Sequence, residues 1–310
     1  RGTVVVVNDD RESTRLDLDV VAWSSQVVDL DATLPSEMVA AIVEVEGGGA
    51  IVEQVARADS GDSTATCATA TSDTWYLADG FTVEGSTDRI VLTNPYEQTV
   101  VADIRFSTRE GSRTPARYAG LTVAPRSVRV IDLGAPGAGA QSEPLLAVTV
   151  EVSQGRLVVG RSQTYLGGGR RGTQVTLAQP ALRDQWWFAA SHFGAGYDET
   201  YAIYNPTDGA VDVDVVFLGT PELVDTEPIA VDPRSVVMFD PADVDGLPEG
   251  RYAAVFATLS EPTVVVERVT TRTLDDTVAT SVLAGATSRP DGFYPTAWHV
   301  TRAPEAATSD

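Results

Sequence analysis

His192 and His299 are the only histidines in the 310-residue chain. Two imidazoles are too few to anchor an all-protein zinc site unless carboxylates complete it. They also sit in stretches that loosely echo one another, Trp187-Phe188-Ala189-Ala190-Ser191-His192 and Tyr294-Pro295-Thr296-Ala297-Trp298-His299. That points to repeated strand or loop positions rather than to ligands. The stretch that looks most like a metal loop is Asp240-Pro241-Ala242-Asp243-Val244-Asp245-Gly246. Closely spaced carboxylates before a glycine supply the oxygen ligands that Ca²⁺ takes. The stretch lacks the closing Glu of an EF-hand loop, so Asp240, Asp243 and Asp245 are read as a solvated acidic turn, with Ca²⁺ as the alternative and no cofactor expected. Asp17/Asp19 and Asp212/Asp214 alternate with apolar residues, the mark of an exposed strand face rather than of a glycosidase pair. No Gly-x-Ser-x-Gly elbow offers a serine nucleophile. The expectation is a protein that is not an enzyme.

The aromatic residues follow a rule of their own. Trp75-Tyr76-Leu77-Ala78 precedes Asn94-Pro95, and Trp186-Trp187-Phe188-Ala189 precedes Asn205-Pro206 at the same spacing. Trp75, Tyr76, Trp186, Trp187 and Phe188 could form a platform that stacks on sugar rings. Residues fixed by a repeat are more often fixed by packing, so the aromatics are read as core. The two Asn-Pro pairs are read as turns in which Asn bonds its own backbone and Pro ends strand pairing.

These landmarks belong to a longer repeat. Val123-Ala124-Pro125-Arg126-Ser127-Val128 returns as Val231-Asp232-Pro233-Arg234-Ser235-Val236, Ala147-Val148-Thr149-Val150 as Ala254-Val255-Phe256-Ala257, and Arg161 as Arg268. A unit of this length is a small domain, not a solenoid repeat. Within it lie short β-branched and alternating runs separated by Gly, Pro, Asn and Asp, expected as strands at 90–93, 100–107, 121–123, 128–133, 147–152 and 157–164. The next copy is expected to have them at 200–204, 211–218, 228–231, 236–240, 252–259 and 263–270. Such a pattern predicts an all-β fold of immunoglobulin-like β-sandwich repeats with little helix. A shorter first copy is read from Val4-Val5-Val6-Val7-Asn8, from the alternating 16–20, from 25–30 as the match of 128–133, and from a hairpin of 41–46 with 50–55. It lacks the Trp-aromatic opening. The expected organisation is therefore three tandem repeats, at 1–72, 73–182 and 183–288, with a C-terminal segment and tail at 289–310. Residues 165–172, with Arg170-Arg171, are expected as an exposed hairpin tip.

Charge narrows the partners. The formal net charge is −22 and the pI about 4.3, with every basic residue an Arg. Nucleic acid needs a basic footprint and anionic lipid a polybasic one, so neither is expected. No apolar run approaches the ~20 residues of a membrane span. Cys67 is the single cysteine and rules out an internal disulfide framework.

The order Trp-aromatic-Leu/Phe-Ala, then Leu92-Thr93-Asn94-Pro95, then Ala124-Pro125-Arg126-Ser127, resembles modules of secreted bacterial surface proteins. It looks most like an actinobacterial secreted family of unknown function. The resemblance implies a β-sandwich fold and an extracellular or cell-surface location, and it carries no catalytic residue. Two functions follow as expectations. One is a non-catalytic structural or interaction protein presenting its modules to a protein partner or to copies of itself. The other is a carbohydrate-binding protein acting on cell-wall or capsular glycan. The spare aromatic segment at 293–300 is expected to close onto the first copy, with pairing to another chain or the start of a fourth module as the alternatives.

Overall fold

The structure is a computed structural model and describes residues 1–287 apart from 48, 110, 222, 223, 225, 260 and 262. The C-terminal segment expected to dock on the first copy, with His299, lies outside the described residues. What is described is almost all strand, as the alternating sequence requires, with one single-turn α-helix and three single-turn 3₁₀ helices.

Residues before Cys67 give five strands: β1 (Gly2–Asn8), β2 (Ser13–Leu18), β3 (Val39–Val45), β4 (Glu53–Ala58) and β5 (Gly61–Thr66). They form a sheet in the order β2-β1-β3 and a separate β4-β5 hairpin. Val4, Val6 and Leu18 make its small core, covered by Val28, Leu30 and Leu34 from the following loop and helix. Two expectations fail here. Residues 25–30 are not a strand, because the Asp29 carboxylate accepts the Ala32 amide and caps the helical turn Leu30–Thr33. Residues 41–46 and 50–55 do not form a hairpin either. β3 pairs with β1 instead, because the Val4–Val7 run offers a central strand with two edges to fill. The chain then turns at Gly47 and Gly49, both at positive φ, and β4 finds β5.

The second copy supplies β6 (Thr74–Leu77), β7 (Thr87–Asn94), β8 (Val100–Thr108), β9 (Gly111–Arg113), β10 (Leu121–Val123), β11 (Ser127–Asp132), β12 (Ala147–Gln154), β13 (Val158–Tyr165) and β14 (Gly172–Leu177). Sheets β10-β8-β12-β6 and β11-β7-β13-β14 face each other as a sandwich. The inward residues of the alternating strands, among them Trp75, Leu77, Ile90, Leu92, Ile104, Phe106, Val148 and Val159, fill the space between.

The third copy repeats the plan with β15 (Gln185–Phe193), β16 (Tyr197–Asn205), β17 (Val211–Leu218), β18 (Ile229–Val231), β19 (Ser235–Phe239), β20 (Gly250–Thr258), β21 (Val265–Leu274) and β22 (Thr277–Ala284). Its sheets are β15-β20-β17-β18 and β19-β16-β21-β22, strand for strand the order of the second copy. Trp186, Phe188, Tyr201, Phe217 and Phe256 sit in its core.

The two sandwiches are not beads on a string. Successive residues Ala147–Val150 of β12 and Tyr201–Asn205 of β16 are all buried, so both faces of each strand are covered. Tyr204 carries the contact, its hydroxyl 2.7 Å from Thr149 Oγ1 and 3.4 Å from Ser107 Oγ. Strands β5, β14 and β22 also converge. Ser63 of β5 accepts the Val175 amide of β14 at 2.9 Å, and Arg171 beside β14 accepts the Thr280 amide of β22 at 2.7 Å.

Candidate functional site

The repeated aromatics are structural. Trp75 and Trp186 are fully buried, and each donates its indole N–H at 3.0 Å to the backbone carbonyl just before a strand of the facing sheet, Leu157 before β13 for Trp75 and Val264 before β21 for Trp186. A buried indole needs such a partner, and the repeat supplies it twice. Tyr76 and Trp187 point to the opposite face, as period 2 demands. Tyr76 packs partly against the third copy's core, while Trp187 is 40% exposed.

The Asn-Pro and Pro-Arg-Ser motifs prove to be two halves of one corner. Asn94 Nδ2 donates to the carbonyls of Gln98, Val123 and Ala124, and its Oδ1 accepts the Tyr96 amide. Asn205 does the same with Gly209, Val231, Asp232 and Thr207. Pro95 and Pro206 follow immediately, both half-buried, and end the strands. Arg126 and Arg234 adopt positive φ, 46° and 53°, and donate to Glu97 and Asp208 of the facing turn. Even Asn8 in the first copy is buried and bonds Glu12, four residues on.

The other sequence candidates separate. Asp240 accepts the Ala242 amide at 2.8 Å and caps the 3₁₀ turn Pro241–Asp243, which Asp243 completes. Asp245 follows on the exposed surface, and no group of three or more His, Cys, Asp or Glu side chains is placed to hold a metal among the described residues. The His192 ring packs tilted against the Tyr197 ring, with centroids 4.1 Å apart. Cys67 is exposed and free. The expected tip at 165–172 does link β13 to β14, with Leu166, Gly168, Gly169 and Arg171 exposed, but it is not exposed throughout: Tyr165 is buried, and Arg170 lies over the Phe81 ring at 4.7 Å and reaches Asp79 at 3.3 Å. Apolar contact between Phe81 and Tyr165 of one sandwich and Val269 and Val282 of the other draws this loop inward.

Beside that contact lies a cluster that no sequence motif marks. Asp79, Asp88, Arg161, Tyr165, Arg170 and Glu267 meet where the sandwiches join. Glu267 leaves β21 of the third copy and enters the second. Its Oε2 accepts the amides of Ala78 at 3.0 Å and Asp79 at 2.7 Å, and Arg161 at 3.3 Å. Arg161 and Glu267 are both 1% exposed. Asp88 lies beneath them with both carboxylate oxygens lacking a hydrogen-bond partner, as do Arg161 Nε and Nη1 and the Tyr165 hydroxyl. Gly80 is required here, since a Cβ would collide with the Asp88 carboxylate and come within 2.8 Å of the Leu146 carbonyl. Burial pushes the Asp88 carboxyl up to about 7, against the pull of Arg161 and helped by Asp79, Glu267 and Asp132. Burial also raises the Glu267 carboxyl, with Arg161 and the two amides opposing. For Arg161 burial works downward, but Glu267 and Asp88 outweigh it and hold the guanidinium charged.

The third copy contains the same pair in a satisfied form. Glu199 and Arg268 stand at the repeat positions of Asp88 and Arg161, in the same register: Ile90 faces Arg161 and Tyr201 faces Arg268. Glu199 Oε2 lies 3.8 Å from Arg268, and its Oε1 accepts the Tyr201 hydroxyl at 2.7 Å and the Tyr252 hydroxyl at 3.4 Å. The signal was present in the sequence as an acid two residues before the Ile90/Tyr201 position in both copies, paired with the Arg161/Arg268 echo.

A model described as a family of unknown function, DUF5719, matches residues 49–290. The chain belongs to this family. No curated protein matches. Among solved structures, the crystal structure of Thermotoga maritima 1070 covers 34% of this chain and 94% of its own, at 13% identity and a TM-score of 0.31. Membership in the family covers the two sandwiches, the seam and the β4-β5 hairpin.

Proposed function

We propose that this chain is a non-catalytic structural or interaction protein of the bacterial cell exterior, whose tandem β-sandwich modules are presented to a protein partner or to copies of itself. One observation carries the reading: the tryptophans that open each sandwich and a central ion pair are used inside the fold. Trp75 and Trp186 are fully buried, and the Arg161–Glu267 pair joins two sandwiches rather than lining a cleft. Side chains used in this way supply rigidity and spacing, which a surface or scaffold protein needs. The outward faces agree. Asp17 and Asp212 are exposed on their strands and Asp19 is exposed just past β2, and a net charge of −22 favours a basic or cation-bridged partner surface.

The alternative is glycan recognition, and the half-exposed Trp187 is the residue that would take part. Crosslinking the intact protein in an extract of its source, followed by mass spectrometry, separates the two. Specific crosslinks to one protein, or between copies, support the proposal. Saturable binding to cell-wall or capsular glycan that Trp187→Ala abolishes, with no protein crosslink, overturns it.

A further inference from the structure

We propose that docking of the two sandwiches takes up one proton, because Arg161 passes from Asp88 of its own sandwich to Glu267 of the next and the abandoned Asp88 is carried in its acid form. The third copy supplies the internal comparison. There, at matched positions and register, the carboxylate Glu199 keeps its own Arg268 at 3.8 Å and two tyrosine hydroxyls. In the second copy the same diagonal pair is broken. Arg161 bonds Glu267 at 3.3 Å, and Asp88 is wholly buried with neither oxygen hydrogen-bonded. Glu267 stands where the second copy has Gly160, offset like Arg161 and Arg268, and Ile90 and Leu145 stand where the third copy has Tyr201 and Tyr252, so Asp88 also lacks the hydroxyls that serve Glu199. The intruding carboxylate has displaced the resident one.

Counting charge shows which state Asp88 must adopt. The groups facing it are Arg161 from β13, Asp79 from the segment after β6, Glu267 from β21 and Asp132 from the end of β11, while Arg170 pairs with Asp79 from the loop before β14. Within the buried seam, Arg161 and Arg170 balance Glu267 and Asp79. An ionised Asp88 would add an uncompensated buried negative charge, the most costly arrangement available. Carried as the acid it adds none, and its O–H becomes a donor. When the sandwiches separate, Arg161 returns to Asp88, Glu267 is hydrated, and the proton goes to solvent. No bond other than O–H is made or broken.

The sign follows from linkage. The docked form holds a proton that the separated form has released, so docking strengthens as pH falls below the docked-state value of about 7. Each pH unit between that value and the ordinary carboxylate range changes the docking equilibrium by up to about tenfold, and above it the dependence levels off.

Amide hydrogen exchange on the intact chain tests this, because the Ala78 and Asp79 amides are bonded to Glu267 only when docked. With intrinsic exchange corrected, their protection should fall from about pH 5 to about pH 7 and then flatten. Asp88→Asn should remove the slope and keep protection at the acid level. Glu267→Gln should lower protection at every pH while the strand amides around Trp75 and Trp186 stay protected. Wild-type protection that does not change with pH, or a slope that survives Asp88→Asn, overturns the proposal. Should Asp88→Asn fail to fold, carboxyl-carbon NMR of the wild-type chain decides: a midpoint for Asp88 near 7 supports the exchange, and one in the ordinary carboxylate range contradicts it.

Discussion

At the scale of single residues, position in the repeat decides role more than residue type does. Trp75 and Trp187 are both tryptophans next to a strand partner, but one is 1% and the other 40% exposed, because alternate residues of a strand face opposite ways. Trp75→Ala should therefore cost about 3–5 kcal/mol of stability, read by denaturant unfolding. Trp187→Ala should cost less than about 1 kcal/mol on the same measurement. A Trp75→Ala protein that unfolds like wild type would mean its indole is not a core group. The corner shows the same contrast. Asn205 is buried and donates to three carbonyls, whereas Glu97 and Asp208 are exposed partners of Arg126 and Arg234. Asn205→Ala should lose about 2 kcal/mol or more, since it leaves buried carbonyls without a donor. Glu97→Ala should lose less than about 1 kcal/mol, the usual worth of an exposed ion pair. Equal losses for the two would contradict this division.

At the scale of elements, strands were read well where sequence alternation is dictated by a sandwich core, and poorly where it is not. β8, β17 and β21 have the alternating or fully apolar patterns of strands with one or two covered faces, and their positions follow from that. In the first 66 residues the burial is slight, so alternation is a weak guide and local chemistry wins: the Asp29 cap turns an apparent strand into a helical turn. The β4-β5 hairpin has few buried residues of its own, Ser63 being the one in β5. Its docking on β14 runs through that hydroxyl. Ser63→Ala should leave the melting of the sandwiches unchanged while making 53–66 more open to protease, checked by limited proteolysis and mapping of the cuts. An unchanged cleavage pattern would show that the hairpin is held by something else.

At the scale of the whole molecule, the repeat was legible and the seam was not. Trp75/Trp186, Asn94/Asn205 and Arg126/Arg234 recur because each copy needs the same core and corner, and recurrence is visible in one sequence. Glu267 has no counterpart, since only one copy has a neighbour on that side, so in sequence it looks like drift from Gly160. Tyr204 hides in the same way, its hydroxyl bonding Thr149 and Ser107 of the other sandwich. An interface reads out where copies differ, not where they agree. It also sets how the chain moves. A seam with an apolar patch of Phe81, Tyr165, Val269 and Val282 around a buried ion pair holds two sandwiches as one body, while ordinary interdomain contacts allow them to swing.

The claim that Glu267 clasps the two sandwiches is open to a double-mutant cycle on Arg161 and Glu267, with Arg161→Met and Glu267→Gln measured singly and together by denaturant unfolding. Arg161→Met should cost about 3–5 kcal/mol, because it leaves Glu267 buried and unpaired, and Glu267→Gln should cost less, because Asp88 can ionise and take Arg161 back. The double variant should cost much less than their sum, giving a coupling of about 2 kcal/mol or more. Additive losses, with a coupling within about 0.5 kcal/mol of zero, would contradict the clasp.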